Sequence, residues 1–120
     1  MLIKTYTAGG AVARYRLAKF AAEAGKVLAS TAPTDETVGV TTDIAAVEGE
    51  RVDLVHHGEA LVTAGGAIGQ GKFFVAGAGG KAVQGEPGAG VRAIGMALEP
   101  ASADGDIFRA FIFPAVLAAS

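Results

Sequence analysis

From Leu61 to Ala115 the chain alternates short apolar runs with glycine-bearing breaks: LVTAGGAIGQGKFFVAGAGGKAVQGEPGAGVRAIGMALEPASADGDIFRAFIFPA. That cadence limits the possible folds more than any other feature. Apolar runs of about four to eight residues, bounded by Gly, Pro and Asp, read as strands joined by tight turns rather than as helices. The run contains no nucleophile beside a base, no metal cluster and no phosphate cradle, so a β-scaffold is expected where catalysis would need convergent polar groups.

A chain of 120 residues is about one domain, and folding at this size buries roughly two thirds of the unfolded surface. Its core is expected to be lean. There are 26 Ala and 18 Gly against six Phe, two Tyr and no Trp, and small side chains bury little area each at about 25 cal/mol per Å². Self-association is one way for a small β-domain to gain the missing burial. Ten basic and twelve acidic residues are interspersed to a net charge of −2. This disfavours nucleic acid as a partner, since phosphate neutralisation needs a basic patch. The absence of cysteine excludes disulfides and thiolate metal sites. The longest apolar stretch, Ile107 to Ala119, is broken by Arg109 and Pro114 and is too short for a bilayer, and MLIKTYTAGG lacks a secretory pattern. A soluble protein with no membrane partner is expected.

Along the chain, residues 1–10 read as an extended N-terminal arm ending at Gly9-Gly10, and residues 11–120 as one β domain. Ala11 to Phe20 reads as a strand, with a helix over AVARYRLAKFAAEA as the competing assignment. Further strands are expected at 26–30, around 37–42, and most clearly at 51–62. There alternation puts Val52, Leu54, His56, Ala60 and Val62 on one face and Arg51, Asp53, His57 and Glu59 on the other. Gly58 marks a candidate bulge that would reset this register. The last strands are expected at 72–76, 91–99 and 106–113. The final two are apolar on both faces, which implies burial on one side and contact with another surface on the other. The architecture expected is a small, mainly β sandwich or barrel, jelly-roll-like, with the arm extended from it.

The chemically suggestive residues have plain alternatives. Gly77-Ala-Gly79-Gly80-Lys-Ala82 matches a dinucleotide fingerprint in spelling, but VQGEPGAG follows it and cannot open the required helix, so a hairpin turn is expected. Adjacent His56 and His57 point to opposite faces of a strand and cannot grip one metal; His57 is expected at the surface and His56 packed. Glu48-Gly-Glu50 and Asp104-Gly-Asp106 read as turn chemistry, with too few oxygens for a calcium loop. No cofactor, no metal site and no catalytic residue is expected.

Taken in order, several pieces resemble a known family. They are AVARYRLAKFAAEAGKVLAST at the front, VGVTTD at 38–43, GERVDLVHHGEALVTAGGAIGQGKFFVAGAGGKAV at 49–83, and AIGMALEPASADGDIFRAFIF at 93–113. Over about Ala11 to Phe113 the chain is similar to the small head decoration, or capsid cement, proteins of tailed bacteriophages and related prophages. The resemblance favours the strand over the helix at 11–20. It implies a structural virion protein, not an enzyme, made in the host bacterial cytoplasm and bound to the outer capsid surface, where it cements the major capsid protein lattice. Implied partners are the major capsid protein and further copies of itself, as a homotrimer or homodimer. On this reading Leu2, Ile3, Thr5 and Tyr6 are candidate contacts with capsid or neighbour, through strand addition. Phe108, Phe111, Ile112 and Phe113 are candidates for the oligomer interface as well as the core. Two other classes compete: a carrier or binding module using Lys72 or Lys81 near a turn, and a small enzyme using His56 or His57 with Asp53 or Glu59.

Overall fold

The thirteen-residue strand RVDLVHHGEALVT is the longest stretch of unbroken β-pattern, and the whole molecule is organised on it. In the computed structural model, which describes residues 2–85 and 91–117, with backbone alone for Leu2 and 114–117, the order is all β. The strands are β1 (Leu2–Ala8), β2 (Leu17–Phe20), β3 (Lys26–Ala29), β4 (Thr37–Thr41), β5 (Arg51–Thr63), β6 (Phe73–Ala76), β7 (Ala82–Gln84), β8 (Val91–Ala97) and β9 (Ile107–Leu117). Strands β1-β3-β2-β4-β5 pair in that order and close through β1–β5 into a five-stranded barrel. The second half of β5 continues into a sheet of order β5-β9-β8-β6-β7, tied back by a single parallel bridge between Ala64 and Ala82. The expected mainly β barrel or sandwich is therefore present, as a barrel and a sheet sharing one strand.

Two cores result. Val12, Ala18, Val27, Val38, Val52 and Leu54 fill the barrel. The other core lies between the barrel's outer wall, represented by Leu17, Val40 and Val55, and the sheet's inner face, represented by Val62, Phe74, Ile94, Phe108 and Ile112. Strand β4 is buried at every residue because it forms the wall between them. Its two threonines are buried with it, Thr37 bonded to the Ser30 hydroxyl and Thr41 donating to the Ala13 carbonyl.

Strand β5 serves both cores by means of a bulge. Leu2 pairs with His57 but Ile3 pairs with Val55, so His56 is one residue extra and the side-chain alternation shifts by one. Val52 and Leu54 before it point into the barrel, whereas Ala60 and Val62 after it join the other core. The single face expected for Val52, Leu54, Ala60 and Val62 is corrected accordingly. Gly58 adopts φ +113° just beyond, a conformation that suits a residue without Cβ, and from there β5 pairs with β9.

Three other expectations change. Residues 1–10 do not form a free arm: Leu2 to Thr7 pair antiparallel with β5, and Thr7 and Ala8 pair parallel with β3. The strand expected over 11–20 is confined to Leu17–Phe20, and no helix forms. Tyr15 takes φ +55°, which interrupts either pattern, and the chain alternates cores at Leu17 and Ala18. The turn expected over residues 77–82 carries a one-turn 3₁₀ segment, Ala78–Gly80, joining antiparallel β6 and β7. It is a hairpin, as its glycines imply, and its second strand, β7, is one that the apolar-run pattern does not reveal.

Candidate interaction surface

Alternation along β9 divides its residues cleanly. Phe108, Ala110 and Ile112 are buried, while Ile107, Arg109 and Phe111 are exposed on the sheet's outer face. The pairing then aligns a row across four strands: Glu59 beside Phe111, Phe111 beside Met96, and Met96 beside Phe73. In-register neighbours sit close enough for their side chains to touch. Phe113 lies 5.9 Å, centroid to centroid, from both Phe111 and Phe73, and the His57 ring meets Phe111 edge-on at 5.3 Å. Phe73 keeps 45% of its surface exposed and Phe111 37%; Leu61 at 40% and Ile107 at 44% lie farther along, one and two rungs past Phe111. Scattered exposed apolar residues need no explanation, but a contiguous aromatic row marks an interaction site. One ion pair, Arg109 to Glu59 at 3.6 Å with both side chains more than half exposed, rims it and contributes little to stability.

The four interface candidates therefore split. Phe108 and Ile112 are 1% and 0% exposed and belong to the core, where Phe108 and Phe74 form an edge-to-face pair at 5.4 Å. Phe111 is exposed and Phe113 half-buried on the outer face. Phe73 and Met96 complete the row and were missed, although the FF doublet of KFFVA, one ring in and one out, was the available signal.

On β1 the alternate residues also part. Ile3 is exposed, and the Thr5 hydroxyl donates to Asp53 Oδ1 at 2.7 Å on the outside. Tyr6 turns toward the barrel core, stacks on His56 at 5.6 Å, and shares a hydrogen bond of 2.9 Å with its Nε2. The side chain of Leu2 lies outside the described residues. Burial, reinforced by the charge of Lys4, pushes His56 below its ordinary value of 6.5. His57 is exposed, as expected, so the two histidines face different surroundings and form no joint site.

The acidic turns hold their own backbone. Asp106 accepts from the Ser102 hydroxyl and from the N–H groups of Ser102 and Ala103 at 2.8 to 3.1 Å. These bonds, the Ser102 hydroxyl first, hold its carboxyl below 3.8. At Asp35 desolvation pushes upward, but donors from Thr31 and Ala32, with Lys19 nearby, outweigh it and the carboxyl also falls below 3.8. Glu50 accepts from the Val47 N–H. Lys81 is bonded to Asp104 at 3.0 Å. Among the described residues no three His, Asp or Glu side chains gather as a metal would require, and no helix is long and apolar enough to cross a membrane. A depression of about 430 Å³ lined by Ala11, Val12, Ala45, Ala46 and Val47 offers no cluster of convergent polar groups; its Arg16 instead donates to the Gly79 carbonyl at 2.9 Å.

No family model and no curated protein matches the sequence. Among solved structures, the chain is similar in fold to the crystal structure of the N base of head fiber gp8.5 from bacteriophage phi29. The TM-score is 0.68 over 93% of each chain, at 22% identity. The likeness is one of fold. It joins barrel, shared strand and sheet into an architecture already seen in a protein of a phage head.

Proposed function

We propose that this protein is a structural component of a phage virion, seated on the outer surface of the assembled head, where it stabilises the lattice of the major capsid protein. The exposed aromatic row of Phe73, Phe111 and Phe113 carries this reading, on a fold shared with the base of a phage head fiber. A cement needs a rigid scaffold and several modest surfaces engaged together, because many weak contacts held at high effective concentration act as one strong one. The aromatic row is assigned to contact between copies, as a trimer or dimer, and the outward residues of β1, Ile3 and Thr5, to contact with capsid. No catalysis and no cofactor enter this function.

Co-sedimentation with expanded heads that lack the protein tests it. Binding that raises the temperature at which heads release DNA is the expected result. A protein that stays in the supernatant overturns the reading. Binding without any gain in head stability would instead favour a pedestal role, as the likeness to a fiber base suggests. Deleting residues 2–8 is uninformative for the capsid contact, because it removes a barrel strand; Ile3→Lys and Thr5→Lys change only the outward surface and are expected to reduce sedimentation with heads.

A further inference from the structure

Between His57 and Thr63, strand β5 pairs, among the described residues, on the β9 side only. The Leu98 N–H donates to the Arg109 carbonyl at 2.9 Å, so Arg109 turns its backbone polar groups toward β8. Its in-register partner Leu61 therefore forms a non-hydrogen-bonded pair and turns its own N–H and C=O away from β9. Thr63, two residues on, confirms this orientation: its N–H donates at 2.8 Å to the carbonyl of Tyr15. Glu59, two residues back, shares it. Among the described residues no strand pairs with that side of Glu59 and Leu61; β1 pairing ends at Leu2 opposite His57, and Tyr15 closes the far end.

Side chains make this edge a slot. A depression of about 230 Å³ is lined by Ile3, Tyr15, Asp43, Val55 and Leu61 among others. It falls short of the roughly 300–1,000 Å³ usual for small molecules, yet it holds an apolar side chain or two. A second, of about 460 Å³, flanks the same stretch of β5 from Glu59 to Leu61 beside Arg109. Tyr15 at the wall keeps its left-handed φ of +55°, fixed by its N–H to the Thr42 carbonyl at 3.1 Å and by the bond from Thr63. Non-glycine residues hold such a conformation only where the surroundings over-determine it, and such places concentrate at binding sites. Of the charges around the slot, Arg109 faces Glu59 and Arg14 stands over the Tyr15 ring at 5.6 Å. Asp43 is exposed and has no ion-pair partner among the described residues.

We propose that this edge receives an extended peptide segment of a partner protein, added as a strand beside Glu59–Leu61, with an apolar side chain in the smaller depression and a lysine or arginine toward Asp43. The N–H and C=O groups of Glu59 and Leu61, without a strand partner among the described residues, are answered best by another backbone, which is the basis of recognition by strand addition. The proposal goes beyond the virion reading and does not depend on it.

Isotope-labelled protein titrated with the blocked hexapeptide Thr-Val-Lys-Val-Thr-Val tests it by NMR. The expected result is shifts centred on the amides of Tyr15, Glu59 and Leu61, with exchange at Glu59 and Leu61 slowed about tenfold at saturation. Asp43→Lys is expected to weaken binding about threefold, and the same peptide N-methylated at alternate residues is expected not to bind. Three outcomes overturn the proposal: no change at Glu59 and Leu61 with millimolar peptide, shifts confined to Phe73 and Phe111, or amides at 59 and 61 as protected in the free protein as those at 60 and 62.

Discussion

The barrel and the sheet share β5 and are built from the same kinds of residue, yet they manage their surfaces in opposite ways. The barrel closes on itself, so its five strands satisfy one another's edges, and its interior is packed with Val, Ala and one Leu. The sheet holds the bulk of the large side chains: Phe74, Phe108, Ile94 and Ile112 inside, joined by Ile68 from the β5–β6 connection, with Phe73, Phe111 and Phe113 outside. A closed β-layer needs nothing from neighbours, whereas an open one with two apolar faces has a face to give. On the proposed reading the sheet's outer face supplies contact between copies, while the closed barrel supplies rigidity and presents Ile3 and Thr5 of β1 to the capsid.

The largest effects should separate the two cores. Gly95 lies where an added Cβ would run into the Phe111 carbonyl across the β8–β9 pair, so Gly95→Val is expected to cost more than about 4 kcal/mol or to prevent folding. Phe108→Ala removes half of the buried aromatic pair and is expected to cost about 3–5 kcal/mol in urea unfolding. Val27→Ala in the barrel should cost only about 2 kcal/mol, from the two carbons lost. A barrel substitution as damaging as the one in the sheet would show that the lean core, not the aromatic one, dominates stability.

Substitutions outside the sheet should behave differently from those inside it. On the proposed reading, Phe111→Ser combined with Phe73→Ser is expected to lower the unfolding midpoint, since each ring is more than half buried, but its distinguishing effect is to weaken self-association about tenfold or more, read by light scattering or sedimentation equilibrium. A variant that keeps its association would overturn the assignment of this face to contact between copies.

The smallest effects are pH-dependent and differ between the regions. His56 in the barrel titrates below its ordinary 6.5, so the unfolded chain binds the proton more readily. Stability is then full above pH 6.5 and falls as pH drops toward the folded value. His56→Gln should flatten that part of the pH profile. Asp106, at the turn entering β9, is held below 3.8, so its contribution is present above that pH and lost on further acidification. Asp106→Ala should remove this acid contribution and leave the slope near pH 6, whereas a slope near pH 6 that persists in His56→Gln would assign that effect elsewhere.

Most of the strand pattern was legible because its periodicity is local. The strands at 26–29, 37–41, 51–63, 73–76, 91–97 and from 107 on follow from apolar runs and the breaks between them. Residues 2–8 were also visibly β in composition, but whether they pair within the chain or outside it depends on β5, some fifty residues away. The helix formers of 11–24 carried a true propensity that tertiary contacts overrode, since Leu17 and Ala18 must enter different cores. For the surface, alternation predicted that some of Phe108, Phe111, Ile112 and Phe113 would be exposed; register across β6, β8 and β9 decided which, and added Phe73 and Met96.

By itself the sequence determined an all-β chain with glycine turns, a strand at its centre with two differently placed histidines, and more apolar strand surface than one core needs. These are properties of neighbours along the chain, carried by period-two alternation and turn chemistry. Only the tertiary structure decided that one extra residue at His56 lets a single strand line two cores, that the first strand closes a barrel, and that aromatic side chains from β6 and β9 meet across Met96 of β8 on one outer face. Those outcomes depend on pairings between distant segments, and a shift of one residue in register moves every side chain to the opposite face.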